Sequence, residues 1–272
     1  MSLPVLILVG LVLNAVAALL VLWRGSLDPG GAAVGVVIGT VIFACGGPLF
    51  WIVLMVFFIS STALSSVGRR QKEPLKKIHQ KGGRRDMFQV LANGGVGALC
   101  ALLYKITGSA VWAVGFAVSF ASSNADTWAS ELGVLSRKPP VSVLGFRPVA
   151  RGVSGGVSLL GSTMALAGGL LIGLVFALEN LSLRIMPGGF LRVACFVTVG
   201  GFFGSLLDSF LGATVQAQYA GTDVLTELPR AADGSPNRLV RGFAFVNNDV
   251  VNLVSCLLAS VLGILLAAAF TS

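Results

Sequence analysis

Gly31-Ala-Ala-Val-Gly-Val-Val-Ile-Gly-Thr-Val-Ile-Phe-Ala-Cys45, then Gly46-Gly47-Pro48, then Leu49-Phe-Trp-Ile-Val-Leu-Met-Val-Phe-Phe-Ile-Ser-Ser-Thr-Ala-Leu-Ser65, is an uncharged run that decides the fold. One membrane span needs about 20 residues, so residues 31–65 are too long for one ordinary crossing. A Gly-Gly-Pro break fits a tight turn between two helices, 31–45 and 48–65. A single long kinked helix is the alternative. Outward from this run, further apolar stretches lie at about 3–23, 88–105, 109–126, 155–178, 190–211 and 246–270.

Composition supports the same class. Hydrophobic residues make up 55% of the 272 and charged residues 11%, against about 25% charged in a soluble domain. The bilayer is the solvent for most of this surface. The expectation is an all-α, polytopic membrane helix bundle of about eight spans, seven if 31–65 is one. It forms a single integral membrane domain over 1–272, with no room for a soluble one. Residues 3–23 lack a positively charged leader and read as a retained helix. Cys45, Cys100, Cys195 and Cys256 are scattered through apolar stretches, which fits packing and neither a disulfide framework nor a zinc site.

Charge sorts the loops. Arg69, Arg70, Lys72, Lys76, Lys77, Lys81, Arg84 and Arg85 fall in 67–87. Arg137, Lys138, Arg147 and Arg151 fall in 136–152, and Arg230, Arg238 and Arg241 in 213–245. With eight spans these loops and Arg24 share one side, leaving Lys105, Arg184 and Arg192 for the other. The positive-inside rule makes the basic side cytoplasmic. The net charge of +8 points to headgroups and away from nucleic acid.

Asp126, Glu131, Asp208 and Asp249 lie in or at the ends of apolar segments, where ionisable groups are functional by default. Counting at 1.5 Å per residue, Asp126 lies about 25 Å and Asp208 about 27 Å from the outer ends of their spans. Asp249 begins the last span from the basic side. Three helices thus deliver a carboxylate to the basic face, and hard oxygen ligands of this kind suit Mg2+ beside substrate phosphates. Helix capping or pairing with arginine is the structural alternative. Asn124 lies among these polar residues in Ser122-Ser-Asn-Ala-Asp126.

Arg147-Pro-Val-Ala-Arg151 leads into Gly152-Val-Ser154-Gly155-Gly156, with a helix expected next. Glycine turns before helix N-termini bind anions, and arginines add bidentate phosphate contacts. No Gly-Lys-Ser/Thr follows, so this is not a Walker motif. Arg84 and Arg85 lead into a span carrying Gln89 and Asn93, four apart on one face. These amides either line a headgroup pocket or bond neighbouring helices. His79, the only histidine, sits in the charged loop.

On Gln89-Val-Leu-Ala-Asn-Gly-Gly95, Ser123-Asn-Ala-Asp-Thr-Trp-Ala-Ser-Glu-Leu-Gly133, Gly152-Val-Ser-Gly-Gly-Val-Ser158, Gly204-Ser-Leu-Leu-Asp-Ser-Phe-Leu-Gly-Ala-Thr214 and Asn247-Asn-Asp-Val-Val-Asn252, the chain resembles the membrane family containing the plant and cyanobacterial phytyl-phosphate kinases and the animal transmembrane protein nineteen. The resemblance implies phosphorylation of an isoprenoid monophosphate to its diphosphate. A looser similarity to CTP-using lipid kinases and cytidylyltransferases implies a nucleoside triphosphate donor, CTP or ATP, with Mg2+.

The leading expectation is therefore a Mg-dependent lipid-phosphate kinase. Asp126, Glu131, Asp208 and Asp249 would be catalytic, with Asp126, Asp208 and Asp249 on the metal. Arg147, Arg151, Ser154, Gly155, Gly156 and Asn124 would bind the nucleotide phosphates. Arg84, Arg85, Gln89, Asn93 and Asn248 would bind the acceptor. The implied partners are an isoprenoid monophosphate lipid and the membrane, with a homo-oligomer allowed. In a eukaryote the membrane would be that of the endoplasmic reticulum or plastid envelope. A transporter or flippase for an anionic lipid or metabolite and a CTP-dependent cytidylyltransferase are the rivals.

Overall fold

The computed structural model describes residues 1–73, 78, 84–186, 188–221, 224–231 and 233–271; Lys76, Lys77, His79 and Lys81 lie outside them. Its helices are α1 (Leu3–Arg24), α2 (Pro29–Ser65), α3 (Arg69–Lys72), α4 (Met87–Thr107), α5 (Ala110–Gly133), α6 (Leu159–Leu183), α7 (Phe190–Thr214) and α8 (Asn248–Thr271).

The deciding stretch is α2, which breaks at Gly47 (φ 78°, ψ −173°) with Pro48 directly after it. This backbone conformation is open to glycine and closed to other residues. The break doubles the chain back. At one end Asp28 donates its N–H to the Arg85 carbonyl, and at the other the Ser65 hydroxyl bonds Glu131; Arg85 and Glu131 both belong to the basic face. Beside the break, Phe50 stacks on Phe116 (centroids 4.3 Å apart) and on Tyr104 (5.3 Å), both near the opposite ends of their helices. Phe43 and Trp51 meet edge to face at 6.2 Å, although eight residues of straight helix would separate them by about 12 Å. The two arms are separate crossings of about 27 Å each, joined by one residue with no loop.

Among the described residues six helices are long and apolar enough to cross a membrane, α2 among them. α5 falls short of that apolarity because it carries Ser122, Ser123, Asn124 and Asp126, and its middle is enclosed by protein. Residues 113 to 125 are all buried, and α5 packs against α2, α4, α6, α7 and α8. With α2 counted as two arms and α5 included, the described residues supply eight candidate crossings. Polar groups inside such a bundle need internal partners. Asn124 accepts from Ser60 and Ser61 and donates to the Gly168 carbonyl at 2.8 Å. Small residues let the backbones close: a Cβ on Gly204 would lie 2.0 Å from Ser122 Oγ.

Side-chain caps mark helix starts at the basic face. Asp28 accepts from Gly31, Asp86 from Gln89, Ser158 from Gly161 and Asn247 from Val250. Two small antiparallel sheets organise the loops there. β1 (Val141–Ser142) pairs with β2 (Gly156–Val157). β3 (Gln218–Ala220), β4 (Leu225–Thr226) and β5 (Leu239–Arg241) form a second sheet in the order β4-β3-β5. All four cysteines are free.

Candidate functional site

A cavity of about 790 Å3 opens among the helix ends of the basic face. Asp126 and Asp208 line it deeply. The Ser205 hydroxyl on α7 donates to Asp126 Oδ1 at 3.4 Å, and the Ser255 hydroxyl on α8 donates to Asp208 Oδ2 at 3.0 Å. Ser205 and Asp208 are three apart on α7, so one helix face ties α5, α7 and α8 together around two carboxylates. Asn252, also lining the cavity, has a buried Oδ1 with no hydrogen-bond partner among the described residues.

The other two acidic residues sit higher. Glu131, five residues beyond Asp126, is held by Lys72 Nζ at 2.5 Å and by the Ser65 hydroxyl at 2.6 Å. A local ion pair therefore occupies its charge. Asp249 begins α8, six residues or about 9 Å before the Ser255 that marks the depth of Asp208. Among the described residues no group of three or more His, Cys, Asp or Glu is close enough to share an ion. The expected trio of Asp126, Asp208 and Asp249 is thus corrected to a deep pair with Asp249 nearer the mouth. Glu179 lies outside this cavity, far along α6, with neither oxygen hydrogen-bonded among the described residues.

The basic residues also divide. Arg85 lines the cavity and has no side-chain hydrogen bond or ion pair among the described residues. Burial lowers its guanidinium pKa from the usual value, and the Glu131 charge opposes that shift. A guanidinium that lines a cavity without an ion pair has the chemistry to accept an anion there. Arg84 lines the mouth beside it, and Arg151 reaches the cavity while donating to the carbonyls of Ser136 (2.8 Å) and Arg137 (3.1 Å). Arg147 is not brought to the site. Its carbonyl accepts from Ser142 in the turn after β1, and its side chain is exposed outside the cavity lining.

Ser154, Gly155 and Gly156 do line the cavity. The Ser154 hydroxyl, however, donates to Glu227 Oε1 at 2.9 Å, as does Gln216 Nε2. Gly155 (φ +83°) leaves no room for a Cβ, which would meet Ala213 of α7 at 2.4 Å. The turn is thereby clamped to the end of α7, and the helix it was expected to open begins after the Ser158 cap. Glu227 escaped the sequence reading because it lies in an irregular loop with no periodic signal.

Gln89, Asn93 and Asn248 line the cavity, although Asn93 Nδ2 is engaged by the Gln89 carbonyl at 2.9 Å. Asn124, expected at the phosphates, is instead fully buried between helices by the bonds given above. Its oxygen holds the second arm of α2 against α5, and its amide holds α6.

The donor set fits Mg2+. Two carboxylates and an unsatisfied amide oxygen are hard ligands, and this ion takes one or two carboxylates together with phosphate oxygens and water. Arg85 and Arg151 line the same cavity with cationic donors. Carboxylates and guanidinium groups thus line one chamber.

Residues 12–260 match the family described as integral membrane protein DUF92. Protein PGR of Arabidopsis thaliana is 34% identical over 257 residues, covering 88% of each chain. An uncharacterized membrane protein of Methanocaldococcus jannaschii is 28% identical over 95% of this chain and 93% of its own. Protein VTE6, chloroplastic, of Arabidopsis thaliana is 28% identical over 89% of this chain and 65% of its own. No solved structure matches.

Proposed function

We propose, from the premise that the chain belongs to the DUF92 family of integral membrane proteins, that it is a lipid-phosphate kinase. It would transfer the γ-phosphoryl group of CTP or ATP to an isoprenoid monophosphate at the cytoplasmic side. The observation that carries the reading is one cavity holding the Asp126–Asp208 pair, Arg85 with no side-chain partner among the described residues, and an apolar extension between helices.

In this reading the donor's phosphates lie toward Arg151 and the backbone of the Gly155–Gly156 turn. The acceptor's phosphate lies on Arg85, with Arg84, Gln89 and Asn248 at its rim. An oxygen of that phosphate attacks the γ-phosphorus, the bond to the β-phosphate oxygen breaks, and nucleoside diphosphate leaves. A monophosphate is already anionic at neutral pH, so no histidine base is required. Mg2+ held by Asp126 and Asp208 would supply charge neutralisation at the phosphate oxygens. Arg85 holds the acceptor against the repulsion between two anions, and the surrounding helices exclude bulk water. The basic loops support a cytoplasmic placement of this face through the positive-inside rule.

The test uses purified protein in detergent with Mg2+, each of four nucleoside triphosphates labelled at the α- or γ-phosphate, and phytyl or geranylgeranyl monophosphate. Label from the γ-position is expected in the lipid product. Label from the α-position would identify a cytidylyltransferase, and transfer of neither would reject group transfer in favour of transport.

A further inference from the structure

The cavity does not end at the carboxylates. The cavity's lining extends between α1, both arms of α2 and α4 as a branch, and Asn14, Ile38, Leu54 and Gly94 are the lining residues farthest along these helices from the basic face. From the mouth at Arg24 to Asn14 is ten residues of α1, about 15 Å. Between these ends α1 presents Ala17, Ala18 and Val21 to the branch, so its wall is apolar and narrow-sided.

Its floor is polar and closed. Asn14 is 4% exposed on a helix otherwise given over to apolar residues. Its Nδ2 donates to the Gly10 carbonyl at 2.7 Å, and its Oδ1 accepts from Trp51 Nε1 at 3.1 Å. Behind that bond Trp51 meets Phe43. Gly39 is required alongside, since a Cβ there would lie 2.1 Å from Asn14 Oδ1. The Asn14 amide is thus engaged through both its nitrogen and its oxygen, and the polar side chains that share the branch, Asn93 and Gln89 of α4 and Thr62 of α2, lie on the way up to the mouth. There Arg85, which has no side-chain partner among the described residues, is placed to meet an anion.

We propose that this branch receives the hydrocarbon tail of a lipid monophosphate whose headgroup sits on Arg85, and that the Asn14–Trp51 bond is the floor against which tail length is measured. The inference rests on the lipid-phosphate reading above and adds where the tail goes and what limits it. Tails up to about 15 Å long gain affinity with each added methylene, about fourfold at full burial. Longer tails must leave the branch and gain little more.

Gly35 supplies the test. It lines the branch partway down, and the nearest atom to an added Cβ is Leu27 Cδ1 at 4.0 Å. Gly35→Phe thus fills the passage without colliding with backbone. Binding of labelled butyl, octyl, dodecyl and hexadecyl monophosphate is measured for wild type and variant in the same detergent. Partitioning into micelles is common to both proteins, so the ratio of their affinities reports the branch alone. The ratio is expected near one for butyl, at least tenfold for dodecyl, and flat from there to hexadecyl. Asn14→Ala is expected to move the flattening of the wild-type series to longer tails. Unchanged butyl binding certifies that each variant is folded. A ratio near one at every length, or an equal loss at every length, overturns the proposal. Length-dependent ratios without phosphoryl transfer would reject the kinase and leave the tail site standing; transfer with flat ratios would do the reverse.

Discussion

Asp126 and Glu131 lie five residues apart on one helix and meet opposite fates. Glu131 is matched by Lys72 at 2.5 Å and by a serine hydroxyl. Among the described residues Asp126 has a single serine hydroxyl at 3.4 Å, and it shares its chamber with Asp208. A charge with a fixed partner is structural, while one left with a weak hydroxyl contact beside a second carboxylate invites a cation from outside the chain. Depth along the same helix therefore separates a rim whose carboxylate holds a lysine from a floor with two carboxylates lining one cavity.

Substitutions can break this contrast. Asp208→Asn and Asp126→Asn should each lower kcat by on the order of 10²–10³, with insertion and thermal stability kept, as read by the label-transfer assay and a melting curve. Arg85→Gln should come next, raising the KM for the acceptor by about 30-fold or more, the scale of losing a buried charge contact to phosphate. The KM for nucleotide should stay within a factor of about three. Glu131→Gln should reverse the pattern of the aspartates: turnover falls less than tenfold, while stability drops by about 1 kcal/mol as Lys72 loses its partner. Arg147→Ala should change neither turnover nor stability beyond about 0.5 kcal/mol, because its side chain is exposed away from the cavity.

Much of this was legible from residue order. Hydropathy located the spans, and Gly46-Gly47-Pro48 marked the reversal in α2, although only the coordinates show that one glycine makes it. Counting rise per residue brought Asp126 and Asp208 to similar depth on separate helices, and Ser205 and Ser255 now join those helices around them. What resisted reading depended on long-range pairing or on rotation about a helix axis. Lys72 reaches Glu131 across 59 positions, and Glu227 reaches Ser154 across 73; no local pattern announces either. Asn124 is two residues from Asp126, which on a helix turns it about 200° away, into α2 and α6 instead of the cavity. Arg147 and Arg151 look equivalent in sequence, yet the turn between β1 and β2 sends only the second to the site.

The most direct measurement is Mn2+ binding, as a paramagnetic stand-in for Mg2+, followed by electron paramagnetic resonance on the purified protein with a non-hydrolysable nucleoside triphosphate. The account predicts one tightly held ion in wild type and in Glu131→Gln, lost in both Asp126→Asn and Asp208→Asn. Undiminished binding in the two aspartate variants, or its loss only with Glu131→Gln, would contradict it.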